Sequence, residues 1–511
     1  MIRTEIVRPV GDLVRRQAAE HGDAVAVSDP SRSVRFAELD QRTSALAAAL
    51  GELQVRHGQR VVLFMANSVA LVEALLAVVR ADAVAVCVSV ASTAEELRFL
   101  VHDSTPQVVV TDPARIGLVV DCLADLPDAS APQVVVSGVG VGDRHHTLER
   151  LIATHAGADA PDGLLLDEPA WMLYTSGTTG RPKGVLLSQR NMLWVAASAW
   201  LPFLELDDDD VALNPLPLSH SYPLDMTLAV LAAGGRTHLL ERFTASEIIQ
   251  ALRAQRATFL LCVPTTVTFL LNAVEQADLD ITAFPRLRFL LSAGAVAPAA
   301  ISQRVEQVLS IPLLDAYGST EAATAIVLNA VRGGHIPGSC GVPAPGWAVR
   351  VVDFEGRDVP VGEEGELIAR GPGLMLGYHQ RPEETARVVH DGWYWSGDLA
   401  YQDQNGYVTI SGRLKDIIIR GGENIAPAEI ENVLLQFPGV VDCAATGRPD
   451  ELYGEIPVAF VVKASDSHVS TQELHAWCAD RLAAFKVPAE IRFVDEIAKT
   501  ASGKVKRYLL Q

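Results

Sequence analysis

Residues 175–184 read Thr-Ser-Gly-Thr-Thr-Gly-Arg-Pro-Lys-Gly, directly after an apolar run at 171–174. Hydroxyls and glycines this dense let backbone N–H groups and the side chains of Thr175, Ser176, Thr178 and Thr179 wrap a polyphosphate. Gly177 leaves room for close approach, and Lys183 supplies a point charge. The segment is not a Walker loop, because no Gly-Lys-Ser/Thr follows a four-residue spacer. The same composition also suits a surface turn rich in small polar residues.

Such a loop needs strands and helices to hold it. Up to about residue 234, short β-branched runs alternate with helical stretches. Residues 60–65, 107–111 and 133–137 read as strands, and 45–53 and 70–80 as helices. Strand-like runs at 211–217, 259–263 and 287–291 continue the series, which predicts a mostly parallel α/β sheet covered by helices. From 336 to 377 short alternating runs (348–352, 365–369) lie between turns such as Gly371-Pro372-Gly373. That texture predicts a small β-rich subdomain. After a break near 413–416, helical patterns at 429–436 and 471–482 flank strand-like runs at 440–446 and 457–462. The expected organisation is an N-terminal domain over 1–412, a hinge at 413–416 and a C-terminal lid over 417–511.

The chain's 511 residues are 49% hydrophobic and 20% charged, which excludes a disordered protein. Lys and Arg number 42 against 62 Asp and Glu, a balance of −20 that argues against a general nucleic-acid or anionic-membrane binder. A local phosphate site is untouched by that argument. Cys87, Cys122, Cys262, Cys340, Cys443 and Cys478 show no CxxC spacing, so free thiols are expected rather than a zinc site or disulfide framework. Glu73, Arg80 and Asp82 interrupt the most apolar run, 71–90, and charges recur through the first 16 residues. Neither a membrane span nor a signal peptide is expected, and the sequence reads as soluble and cytoplasmic.

The 175–184 segment resembles the phosphate loop of the adenylate-forming superfamily, which includes acyl-CoA synthetases, peptide-synthetase adenylation domains and luciferases. The resemblance recurs in order along nearly the whole chain. Asn214-Pro215-Leu216-Pro217-Leu218-Ser219-His220 resembles the segment carrying an aromatic or His gate to the acyl pocket. Tyr317-Gly318-Ser319-Thr320-Glu321 is similar to the adenine and magnesium motif, and Trp393-Tyr394-Trp395-Ser396-Gly397-Asp398 to the ribose motif. Residues 412–416 (Gly-Arg-Leu-Lys-Asp) and 421–431 look like the hinge motif, and Thr500-Ala501-Ser502-Gly503-Lys504 like the C-terminal lysine motif.

The resemblance implies an α/β fold: a large multi-sheet N-terminal domain with a β-rich subdomain, plus a small mobile α+β C-terminal domain. It also implies ATP and Mg²⁺ as cofactors. A carboxylate is a poor acyl donor, and adenylation turns it into a mixed anhydride that loses pyrophosphate first and AMP second. The first step brings a carboxylate against a polyanion, so the site must neutralise charge. By resemblance Glu321 holds Mg²⁺, Thr320 donates to the α-phosphate, Tyr317 offers a face to adenine, and Asp398 and Arg413 contact the ribose. Gly294, Ala295 and Gly318 fall to the nucleotide pocket, and His220 to the acyl gate. Lys504 would bridge the α-phosphate and the substrate carboxylate in one domain orientation. A turn about Lys415 would remove it and bring Gly421 and Gly422 to a pantetheine channel. Each residue alone also has a plainer reading: Glu321 as a surface carboxylate, Tyr317 as packing, Asp398 as a turn former, His220 as a satisfied buried histidine, Lys504 as a solvated terminal lysine.

Two departures from many relatives, Ser188-Gln189 after the phosphate loop and Ser396 in place of Thr, keep hydrogen-bonding ability. Acyl specificity is expected after His220, in 291–297 and beside Gly318, where Ser292 contacts substrate and Ala293, Gly294 and Ala295 leave room for a longer chain. Asp225, in the otherwise apolar stretch 221–228, has two readings: a helix N-cap, or an anionic partner for a substrate amine, as in stand-alone β-amino-acid-activating relatives. The acceptor is CoA or a phosphopantetheinylated carrier protein supplied in trans, with Arg420 a weak candidate for the CoA 3′-phosphate. The expected function is an ATP-dependent carboxylate–thiol ligase of acyl-CoA synthetase type. The alternative is a stand-alone enzyme that loads a fatty or β-amino acid onto a carrier protein in natural-product (antibiotic) biosynthesis.

Overall fold

The computed structural model describes the chain apart from residues 125, 128–130, 139–144, 176–181, 296, 422, 465–466, 500–504 and 511, and apart from the side chains of Asn424 and Tyr508. Among the described residues the strands form four sheets. In an eight-stranded sheet, the core strands Arg60–Phe64, Val84–Cys87 and Val108–Thr111 are β-branched-rich and buried on both faces. That is the signature of parallel strands covered by helices. One covering helix, Val69–Arg80, starts where the Ser68 hydroxyl accepts from the Leu71 N–H at 3.2 Å. Its two charges turn inward. Glu73 receives Arg32 and Arg42, each at 2.6 Å, and Arg80 reaches Asp40 at 2.8 Å and Asp162 at 3.2 Å. Two of the three charges that break the apolar run, Glu73 and Arg80, are therefore paired in the interior, where an unpaired ion would be costly. The third, Asp82, is half-buried and accepts the Gly163 N–H.

A nine-stranded sheet runs in the order Val342–Pro343, Val327–Leu328, Leu313–Tyr317, Phe289–Ala293, Phe259–Cys262, Val211–Asn214, Arg236–Leu239, Val25–Ser28, Ser33–Arg35. From Leu313–Tyr317 to Val25–Ser28 its neighbours are parallel. The expected α/β plan is present.

The β-rich unit extends further than expected. Ala348–Val352 and Gly365–Arg370 are joined by Trp393–Gln402, Val389–His390 and Val408–Arg413 in an antiparallel sheet, so it ends at Arg413 rather than near 377. The long strand Trp393–Gln402 absorbs a Ser-Gly-Asp stretch that composition reads as a turn. Gly397 takes φ +70° and donates its N–H to Glu366 Oε1 at 2.9 Å, a left-handed kink that favours glycine. Beyond Asp416, Ile418–Arg420, Glu423–Ile425, Val440–Asp450, Gly454–Lys463 and Glu490–Phe493 form a fourth sheet. Ile418, Ile430, Leu434, Ala459 and Leu474 fill a core of its own. No helix among the described residues is long and apolar enough to cross a membrane.

Candidate active site

Four neighbouring parallel strands of the nine-stranded sheet end at Asn214, Cys262, Ala293 and Tyr317. Their carboxyl ends bring Ser292, Gly294, Ala295, Tyr317 and Gly318 to one edge, where open α/β sheets bind ligands. Ser292 is fully buried, Ala295 half-buried and Gly294 exposed. A Cβ at Gly318 would lie 1.3 Å from the Thr324 carbonyl oxygen, so that position admits only glycine. The chain then makes a single 3-10 turn, Thr320–Ala322, which presents Thr320 and Glu321 half-buried at the same edge.

Asp398 arrives from the antiparallel sheet. Register pairs it directly with Arg413, and Arg413 Nε lies 2.9 Å from Asp398 Oδ1. The Tyr317 phenol donates to Asp398 Oδ2 at 2.8 Å. Asp398's charge raises the Arg413 guanidinium further, and burial pushes the Tyr317 phenol far up. The residues expected at adenine, at ribose and at the start of the hinge are thus one bonded group. Lys415 is exposed in the 3-10 turn Leu414–Asp416 that follows. The Gly421 N–H donates to the Tyr453 carbonyl at 2.7 Å. Arg420 donates to the Phe485 carbonyl at 2.7 Å and stacks on Tyr453 at 4.9 Å, so it is engaged within the C-terminal unit. Gly422 and Lys504 lie outside the described residues.

The segment expected to hold phosphate is flanked by a strand pair. Thr175 ends Pro169–Thr175 and faces Lys183, the first residue of Lys183–Ser188, in antiparallel register. Ser176, Gly177, Thr178 and Thr179, between them, lie outside the described residues. Lys183 Nζ lies 2.5 Å from Glu384 and 5.1 Å from the centroid of the Tyr378 ring. The Tyr378 phenol in turn donates to Glu321 Oε1 at 2.9 Å. Burial first, and then Glu321's charge, push that phenol far above its ordinary value. Tyr378 and Glu384 were not singled out from sequence. Their only signal is a tyrosine and an acidic pair around Pro382, which composition cannot separate from a surface turn. For Mg²⁺ the donor set is informative. Among the described residues no three His, Cys, Asp or Glu side chains gather as a cage. Mg²⁺ instead usually takes one or two carboxylates plus substrate phosphates, a mode that Glu321, bonded to Tyr378 beside the strand Lys183–Ser188, fits.

His220 is half-buried and precedes the helix Ser221–Ala233. Asp225 is the fifth residue of that helix, past its first turn, so it does not act as the N-cap. It is fully buried. Trp200 Nε1 donates to its Oδ2 at 2.7 Å, while Oδ1 has no hydrogen-bond partner among the described residues. Burial pushes its carboxyl well above the usual range, against the Trp200 hydrogen bond. The Trp200 donor sits at the end of a π-helical turn, Ala196–Trp200. Sequence gave no sign of this residue beyond a tryptophan among alanines. The Tyr222 phenol donates to the Leu291 carbonyl at 2.8 Å, which ties the same helix to the strand carrying Ser292.

The departures from the family pattern have structural work. The Ser188 hydroxyl caps the helix Gln189–Val195, accepting from the Asn191 N–H at 3.1 Å. Gln189 Oε1 accepts the Val10 N–H at 2.7 Å. The Ser396 hydroxyl donates to the Leu367 carbonyl at 2.6 Å.

Residues 14–379 match the family profile described as AMP-binding enzyme, and 429–504 the one described as AMP-binding enzyme C-terminal domain. The chain is 36% identical over 498 residues to a feruloyl-CoA synthase of Amycolatopsis sp, covering 97% of each. It is 32% identical to an indoleacetate–CoA ligase of Aromatoleum aromaticum, covering 98% of this chain and 96% of that protein. Among solved structures, an anthranilate CoA ligase in complex with anthranoyl-AMP superposes with a TM-score of 0.92 at 26% identity, covering 98% and 96%. ATP-bound MatB from Rhodopseudomonas palustris superposes with a TM-score of 0.90 at 30% identity, covering 98% of both chains.

Proposed function

The chain belongs to the AMP-binding enzyme family, and from that premise we propose how its residues divide the work of an AMP-forming acid–thiol ligase. The enzyme condenses a carboxylic acid with ATP into an acyl-adenylate, releasing pyrophosphate, and passes the acyl group to the thiol of CoA, releasing AMP. The observation that carries the assignment of residues is the bonded group Tyr317–Asp398–Arg413 at the carboxyl edge of the sheet. Tyr317 stacks adenine, and Asp398 accepts the ribose hydroxyls with Arg413 beside it. The residues 175–179 and Lys183 hold the polyphosphate, and Thr320 donates to the α-phosphate. Glu321 would hold Mg²⁺, whose charge offsets that of the phosphates as the carboxylate approaches.

Lys504 stabilises the adenylation transition state as a compact cation between two anions. The lid over 417–511 turns about Lys415 to withdraw it, and Gly421 and Gly422 then line the pantetheine path. The small residues at 293–295 and Ser292 shape the acyl pocket, with His220 at its gate. We place the enzyme in the cytoplasm, where ATP and CoA are available and its buried cysteines stay reduced.

One observation favours a second reading of the substrate. Asp225 keeps an unpartnered oxygen in the interior, and a substrate ammonium would complete it. In that case the acid carries an amine, the acceptor is a carrier protein, and the pathway is natural-product biosynthesis rather than fatty or aryl acid metabolism. ATP–pyrophosphate exchange over aryl and fatty acids and their 3-amino analogues tests both readings, followed by AMP release with CoA alone. Exchange with plain acids and AMP release with CoA support the ligase reading. Exchange only with amino acids, and no AMP release with CoA, would replace it with the second. Lys504→Ala is expected to lose exchange and to keep thioester formation from supplied acyl-AMP; normal exchange would remove Lys504 from its role.

A further inference from the structure

Lys183, the cation at the foot of the phosphate segment, already has a partner. Its Nζ lies 2.5 Å from a Glu384 carboxylate oxygen, with the two side chains 12% and 27% exposed. Glu384 comes from the short helix Pro382–Val388. That helix is fixed to the phosphate strands: Thr385 Oγ1 accepts the Tyr378 N–H at 2.9 Å, and Tyr378 pairs with Val185 in the sheet. Glu384 also lies 3.9 Å from Arg381 Nε. Arg381 is held at 2.8 Å by Asp103, whose other oxygen takes the Tyr174 phenol at 2.8 Å. Glu384 therefore stands between two cations, one at the phosphate segment and one anchored to Asp103.

We infer that Glu384 is a counter-ion that polyphosphate displaces: it neutralises Lys183 before ATP arrives, then moves to Arg381 as the ammonium passes to the phosphates. The inference rests on Lys183 as a phosphate ligand. A carboxylate kept within a few ångströms of a polyphosphate would repel it, whereas Arg381 offers the same carboxylate a counter-charge. The Lys183 ammonium is compact and can exchange one oxygen partner for another without moving its stem. Glu384 acts through Lys183, so it is a positioning residue. Its consequence is an ATP and pyrophosphate affinity set lower than the bare phosphate site would give, which eases pyrophosphate departure after the first step.

The test is titration calorimetry of the full chain with ATP, pyrophosphate and AMP, in wild type, Glu384→Gln, Glu384→Ala and Lys183→Gln. Both Glu384 variants are expected to tighten ATP and pyrophosphate about fivefold, the scale of a part-exposed ion pair. AMP, which lacks the β- and γ-phosphates, should keep its Kd. In the Lys183→Gln background Glu384→Gln should change nothing. Unchanged or weaker ATP binding in the Glu384 variants overturns the inference, as does an equal gain for AMP or a gain that survives without Lys183. If Lys183→Gln alone leaves ATP and pyrophosphate affinity intact, the reading of Lys183 as a phosphate ligand fails instead. Wild type that binds no ATP would remove the nucleotide site itself.

Discussion

Tyr317 and Asp398 meet across the junction of the nine-stranded and antiparallel sheets, phenol to carboxylate at 2.8 Å. Both are buried, at 9% and 6% exposure, so the hydrogen bond is shielded from water and holds the carboxylate in one orientation. Tyr317→Phe keeps the ring but removes the donor, leaving Asp398 positioned by Arg413 alone. The KM for ATP should rise about tenfold, the scale of a lost hydrogen bond to a charged group. Steady-state kinetics with varied ATP checks this, and an unchanged KM would mean that the phenol does not position Asp398.

Glu73 is wholly buried between Arg32 and Arg42. Glu73→Ala removes one charge and leaves two guanidinium groups, only 30% and 17% exposed, to share Glu149, which lies 3.9 Å from Arg32 and 2.7 Å from Arg42. The expected loss is about 3 kcal/mol of unfolding free energy, read from urea denaturation. Changing Arg32 as well, to Met, should recover part of it, because Arg32 is the guanidinium left without a close carboxylate, whereas Arg42 keeps Glu149. No recovery would locate the loss in packing rather than charge.

Glu73 also shows what the sequence could and could not say. Its place in an apolar run ruled out a membrane span, but nothing in the run named its partners, which come from 41 and 31 residues away. The parallel sheets were legible where both faces of a strand are apolar, as at Val108–Thr111 and Phe259–Cys262, but not at Arg236–Leu239, which reads Arg-Thr-His-Leu. The family was legible because its motifs stand in an order that packing does not require. The strand Trp393–Gln402 was hidden by its own composition: Ser396-Gly397-Asp398 has turn-forming residue types and therefore breaks the strand pattern. Tyr378, Glu384 and Trp200 were not legible. Each is marked by a contact made only in three dimensions, and their residue types are ordinary where they stand.

Two buried groups should give stability opposite slopes with pH. Burial pushes the Asp315 carboxyl up to about 7, and burial lowers the His238 imidazole to about 4. An unfolded carboxyl titrates near 4 and an unfolded imidazole near 6.5. Asp315's contribution is therefore fully present below about pH 4 and lost as pH rises through 7, whereas His238's is present above about 6.5 and lost as pH falls through 4. The two slopes oppose each other between pH 4 and 7. Asp315→Asn removes the first, so its stability relative to wild type should improve by roughly 3 kcal/mol from pH 4 to pH 8. Denaturation curves at those two pH values check the sign; a difference that does not grow with pH would mean that Asp315 ionises as freely folded as unfolded.

Asp225 is best tested by a change that preserves its bond to Trp200. Asparagine can still accept from the indole through its carbonyl oxygen, so Asp225→Asn should fold with a near-normal melting temperature. What it loses is the capacity to become an anion. Oδ1 has no partner among the described residues and burial pushes the carboxyl up, so a cation enclosed beside it would favour the charged form that burial disfavours. A substrate ammonium would supply that cation, and the pair would form only when both are enclosed. If the acid carries an amine, Asp225→Asn should lower kcat/KM for it by about a hundredfold, the cost of an unpaired buried charge, and leave the desamino acid unaffected. If the acid is plain, Asn should match Asp, because burial already disfavours the charged carboxylate and no cation arrives to call for it. Exchange kinetics on one matched pair of acids separates these outcomes, and equal losses on both would assign Asp225 to the fold rather than to the substrate.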